Sequence, residues 1–128
     1  QNKKIDYEKV KTLYLEHILG AAEFYDALAK EKLGRSPKHV LLLHEVDSSI
    51  LFIDDLVAEF KRRGWKIIGA AEAYEEKIYA EAPKSLYANN GIIAQVVHDK
   101  TGEKPRYGDF NKLSADLDAI LGTSSLTR

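Results

Sequence analysis

Val40-Leu41-Leu42-Leu43 restricts the fold of this chain more than any other feature. Four consecutive aliphatic residues, set between Pro37 and the polar pair His44-Glu45, leave no polar face for solvent. A short segment that is apolar on both faces suits a strand of a parallel sheet covered by helices. The residues ahead of it read as one long helix over 7–33. Asp6 can cap it, Glu8 sits favourably in its first turn, and Gly34 followed by Pro37 stops it. Val10, Tyr14, Ile18, Ala21, Tyr25 and Leu28 recur at helical spacing, and Leu15, Leu19 and Ala22 widen the stripe. So broad an apolar face is expected to touch more than one neighbour.

After the aliphatic run, Asp47, Ser48 or Ser49 can cap a second helix whose stripe is Ile50, Ile53, Leu56, Val57 and Phe60. Lys61, Arg62 and Arg63 suit its last turn and Gly64 ends it. Trp65 to Ile68 then reads as a second strand, which makes strand, helix, strand: a right-handed βαβ crossover. Ala71 to Glu76 suggests a short helix, and 78–90 an ordered loop with Pro83 and the turn-prone Asn89-Asn90-Gly91. Ile92 to His98 suggests another helix, ended by Gly102. Residues 103–108 read as a linker, Asp109 caps a last amphipathic helix with the stripe Phe110, Leu113, Leu117, Ile120 and Leu121, and Ser124-Ser125 falls in a disordered tail. Two parallel strands leave both sheet edges bare, so the sheet is expected to be completed by polypeptide outside the 128 residues. The chain begins at Gln1 and contains no methionine, which fits a processed or partial protein.

Charge sets limits on partners. Lys plus Arg number 19 against 20 Asp plus Glu, which excludes a basic nucleic-acid clamp or a polybasic membrane anchor as the default. The longest aliphatic run is far too short to span a bilayer. The absence of cysteine removes disulfides, thiolate zinc sites and a cysteine nucleophile.

His44 is the first candidate for chemistry. It follows the aliphatic run at the carboxyl edge, where parallel α/β folds gather their sites, and an imidazole transfers protons near neutral pH. Leu42 lies two residues earlier, on the same side of an extended chain. The other histidines lack ligand spacing: His17 sits inside the first helix, His39 precedes the aliphatic run and is expected to be solvated, and His98 suits a helix end. Asp54-Asp55 is an adjacent pair on a solvated helix face, while Tyr74, Tyr79 and Tyr87 suit either a sugar-stacking platform or the packing of a long loop.

The run His39-Val-Leu-Leu-Leu-His-Glu-Val-Asp-Ser-Ser-Ile-Leu-Phe-Ile-Asp-Asp55, then Leu56-Val57, Lys61-Arg62-Arg63-Gly64-Trp65 and Ala71-Glu72-Ala73-Tyr74, resembles the C-terminal part of the polysaccharide deacetylases, the NodB-homology carbohydrate esterases. The likeness spans roughly residues 5–100. It implies an α/β fold: the C-terminal part of a distorted (β/α) barrel, helix-rich, with one clear βαβ unit, over residues 1–102, and a linker, amphipathic helix and tail over 103–128. It implies that His44 is the general acid that protonates the leaving amine or alcohol, and that Leu42 lines the acetate-methyl pocket. It further implies a divalent metal, zinc in the first instance, in the full-length protein, an acetylated carbohydrate polymer as substrate, and an extracellular or periplasmic setting. The family's metal motifs, Thr-Phe-Asp-Asp and His-Ser/Thr-x-x-His, are absent. Val46 and Ser48-Ser49-Ile50 also depart from the Asn and Leu-Asn-Ala of some members. The expectation is therefore a portion of a metal-dependent deacetylase that holds no metal and is inactive alone. The alternatives are a self-contained helical binding or structural module, or a metal-less relative that binds glycan.

Overall fold

A computed structural model describes residues 4–81, 83–87 and 89–122. The described residues form five helices: α1 (Tyr7–Leu33), α2 (Asp47–Arg62), α3 (Ala70–Tyr74), α4 (Gly91–Thr101) and α5 (Phe110–Leu121), with a 3₁₀ turn at Lys77–Tyr79. The tail at Ser124-Ser125 lies outside the described residues.

The long helix is the spine. Asp6 caps it by accepting a hydrogen bond from the Lys9 amide (3.2 Å), and Gly34 ends it in the left-handed conformation that favours glycine (φ 73°). Its two halves bury into different neighbours, as the width of its stripe requires. Leu19 joins Leu56 and Phe60 of α2 in one cluster, flanked by Tyr14, Leu15, Ile18, Ala22, Leu43 and Trp65. Ala29 joins Ile78 of the 3₁₀ turn and Ile93, Val96 and Val97 of α4 in a second. Each fully buried aliphatic side chain contributes roughly 1.5–3 kcal/mol, so the two clusters carry most of the stability.

The helix α5 is capped by the Asp109 carboxylate, which accepts from the Asn111 and Lys112 amides. It also packs on α1, although none of its residues is fully buried. Its approach is set by Tyr107, whose hydroxyl lies where a Cβ on Gly20 would stand. The Tyr107 ring packs between Phe24 and His17 (centroids 5.6 and 5.7 Å).

The α/β expectation is corrected here. The described residues contain no strand, hence no βαβ unit, no sheet and no piece of a (β/α) barrel. Val40–Leu43 and Trp65–Ile68 are irregular segments, and no backbone hydrogen bond joins them. They stand on the walls of an apolar groove of about 320 Å³ whose floor is Leu56, Val57 and Phe60. The physical reason is that apolarity records a segment's suitability for burial, whereas a strand also needs a neighbour for its ladder. The buried face of α2 also differs from the expected stripe. Phe52, Leu56 and Phe60 point inward, at i, i+4 and i+8, while Ile50 is 71% exposed. Ile53, 39% exposed, borders the same groove as Val40 and Leu41, while Ile50 and Leu51 are exposed elsewhere on α2.

Candidate functional site

His44 and Leu42 come out on the same uncovered stretch. The 84% exposure of Leu42 shows an apolar side chain with nothing against it, and His44 is exposed as well. The His44 carbonyl accepts the Val46 amide (2.9 Å) in a tight three-residue turn, which swings the chain into α2. Val46, extended and without a side-chain cap, precedes the helix, and Asp47 opens it as a first-turn carboxylate. The segment thus presents an aliphatic wall ending in an imidazole. No other titratable side chain makes a hydrogen bond or ion pair with His44 among the described residues.

The structure builds a second cluster that the sequence reading missed. Asp26 lies on the apolar face of α1, one turn after Ala22 and one before Ala29, and is only 9% exposed. Its Oδ1 is bonded by His39 Nε2 (3.0 Å) and by the Ser36 hydroxyl, and its Oδ2 pairs with Lys30 Nζ (2.6 Å). A carboxylate only accepts, so His39 donates from Nε2 and its neutral tautomer keeps a lone pair on Nδ1. The imidazole stands edge-on to Trp65 (centroids 5.3 Å), which in turn stands edge-on to Phe60 (5.6 Å). His39 is accordingly half-buried and held, not solvated. The signal available in the sequence was a carboxylate in the middle of an apolar helical stripe, a position that calls for partners.

This cluster forms one wall of a cleft of about 800 Å³ between α1, the 36–39 turn and the segment after Gly64. Arg63 spans its edge, bound to Glu23 of α1 and Glu59 of α2 (both 2.8 Å). The Arg62 and Arg63 guanidinium groups hold the Glu59 carboxyl down at about 2. Outside the cleft lining, Glu76 takes Arg35 and the amide of Lys38, which does line it. Burial pushes the Glu76 carboxyl up, but these donors outweigh it and leave it below its ordinary value.

Burial also pushes the Asp26 carboxyl up, and the bonds from Lys30, Ser36 and His39 outweigh it, so the carboxyl sits below its ordinary value. A depressed carboxylate contributes stability that is present above the unfolded-state pKa, near 4, and lost as pH falls through the folded value. Asp26→Asn should therefore cost about 1–2 kcal/mol near pH 6 and much less near pH 3. Urea midpoints at the two pH values test this. Equal losses at both would show that the carboxylate charge contributes nothing.

The remaining candidates are structural. The His17 ring rests on Tyr107. His98 Nδ1 lies 2.8 Å from the Glu103 carbonyl, and its ring lies on Tyr87. Tyr74 and Tyr79 pair edge-on (5.1 Å), whereas the Tyr87 hydroxyl donates to the Pro105 carbonyl (2.7 Å). The three tyrosines thus serve two separate contacts. Asp54 and Asp55 are exposed. No group of three or more metal-ligating side chains comes together among the described residues, so these residues do not fit the metal that the resemblance implies. No helix among them is long and apolar enough to cross a membrane. Comparison with family models, with curated proteins and with solved structures found no match to this chain.

Proposed function

We propose that this chain is a portion of a carbohydrate deacetylase, to which it supplies a proton donor, His44, and an apolar wall, Leu42. The observation that supports the reading is the uncovered run ahead of α2, where a strongly exposed aliphatic stretch leads directly to an imidazole with no structural partner. Leaving such a surface bare is costly unless something else covers it. In hydrolysis of an acetamide or acetate ester, water adds to the acetyl carbonyl and the C–N or C–O bond breaks. The departing amine or alcohol then takes a proton, and in this reading His44 gives it. Leu42 would exclude water from the acetyl methyl.

Acetate release from an acetylated xylan or chitin oligomer tests the reading. The longer gene product should release acetate, the 128-residue chain should not, and His44→Ala in the longer product should lower the rate about 10²–10⁴-fold. An unchanged rate in His44→Ala contradicts the role assigned to it. A second reading, a self-contained helical binding or structural module, is favoured by the cleft at Asp26–His39–Trp65, which the packing of this chain's own helices and turns forms.

A further inference from the structure

We propose that the cleft beside Trp65 binds one neutral pyranose unit of a glycan, at a site separate from His44. The inference rests on the cleft alone, so its failure and that of the deacetylase reading are distinguishable.

The size is suitable: about 800 Å³ falls within the range of about 300–1,000 Å³ typical of small-molecule clefts. The charge pattern selects the ligand class. Three of the lining cations are already paired: Lys30 with Asp26 (2.6 Å), Arg63 with Glu23 (2.8 Å) and Lys38 with Glu72 (3.3 Å). At these three cations an anionic ligand would have to break a pair and face the carboxylate left behind, which for Lys30 is the buried Asp26; Lys66 alone could meet an anion without that cost. A hydroxyl can donate to the carboxylate and accept from the cation of the same pair without breaking it. Neutral polyols carry several such groups at close spacing. The half-buried indole of Trp65, beside the buried Pro37, supplies an apolar surface for the C–H face of a sugar ring. Two polar groups of the cleft have no partner among the described residues, Lys66 Nζ and His39 Nδ1. They provide a donor and, in the neutral imidazole, an acceptor.

Trp65 is the sole tryptophan, so its fluorescence reports the cleft directly. Titration of the 128-residue chain with cellotetraose and with tetra-N-acetylchitotetraose should give a saturable change for at least one of them, with a Kd of about 1 mM or tighter. Tetragalacturonate should bind at least tenfold more weakly. His39→Ala should weaken the neutral ligand at least tenfold. Should that variant lose its helical circular dichroism, Lys66→Ala and Glu72→Gln, both on exposed side chains, should each weaken it at least threefold. Leu51→Ser, outside the cleft, should leave it unchanged. The inference is overturned by the absence of a saturable change with either neutral tetrasaccharide, by equal or tighter binding of the galacturonate, or by unchanged binding in the folded cleft variants.

Discussion

Leu56→Ala should cost about 3 kcal/mol of folding stability, within the usual span of about 2–5 for a large aliphatic residue truncated in a core. Leu56 is 1% exposed and meets Leu19 of α1 and Phe60 of its own helix in the cluster that joins α1 to α2. Truncation removes the transfer energy of three carbons and leaves a void that Phe60 and Trp65, already in edge-on contact, can fill only by giving up that geometry. A protein of this size has about 5–15 kcal/mol in total, so the variant should unfold at a clearly lower urea concentration. Ile53→Ala supplies the contrast. Its side chain borders the open groove and is 39% exposed, so its loss should cost about 1 kcal/mol or less. Chemical denaturation followed by circular dichroism separates the two. Equal costs would mean that α2 buries Ile53 as deeply as Leu56, as the stripe suggested by periodicity would have it.

Gly20→Ala sets two effects of opposite sign against each other. Glycine in a helix interior is worse than alanine by about 0.5–1 kcal/mol, so helix propensity alone calls for a more stable protein. The added Cβ, however, would lie 2.1 Å from the Tyr107 hydroxyl and 3.0 Å from its ring carbon Cζ. Tyr107 cannot yield by a small rotation, because its ring is held between Phe24 and His17. It must leave, and its departure loosens the residues that carry α5 onto α1. Overpacking of this kind costs about 1–3 kcal/mol, which exceeds the propensity gain. The expected result is a net loss of about 1–2 kcal/mol, with amide protection in α5 falling further than in α4. In a Tyr107→Ala background, where the clash is gone, Gly20→Ala should instead stabilise by about the propensity gain of 0.5–1 kcal/mol. A protein stabilised by Gly20→Ala alone would show that Tyr107 is not seated on α1.

The helices were legible because their signals are local. Residues 7–33 read as helix from Asp6, Gly34 and an apolar face of the right period, and the structure gives Tyr7–Leu33 with those caps. Asp109 and Gly102 work in the same way. Without a cap signal, α3 shifted and runs from Ala70 to Tyr74 where 71–76 was expected; α4 runs up to its Gly102 cap, through Thr101. The error lay in tertiary information. Val40–Leu43 has the composition of a buried strand, and nothing in four residues says whether a hydrogen-bonding neighbour exists. His39 was missed for a related reason. Its partner Asp26 lies thirteen residues away on another element, and only the α1 stripe, interrupted by a carboxylate, hinted at a bonded cluster. The candidates His44 and Leu42 were found by position, and they share one exposed segment.

Amide hydrogen exchange of the 128-residue chain is the most direct measurement of the central claim, that Leu41–Leu43 and Lys66–Ile68 lie unladdered beside a helical core, with Leu41, Leu42 and Ile67 exposed. The amides of both segments should exchange at nearly unprotected rates, while those of Leu19, Leu56 and Val97, inside packed helices, should be protected to about the global unfolding free energy. Strong protection in both segments, with cross-segment contacts between Leu42 and Ile67, would mean a sheet and would contradict the account.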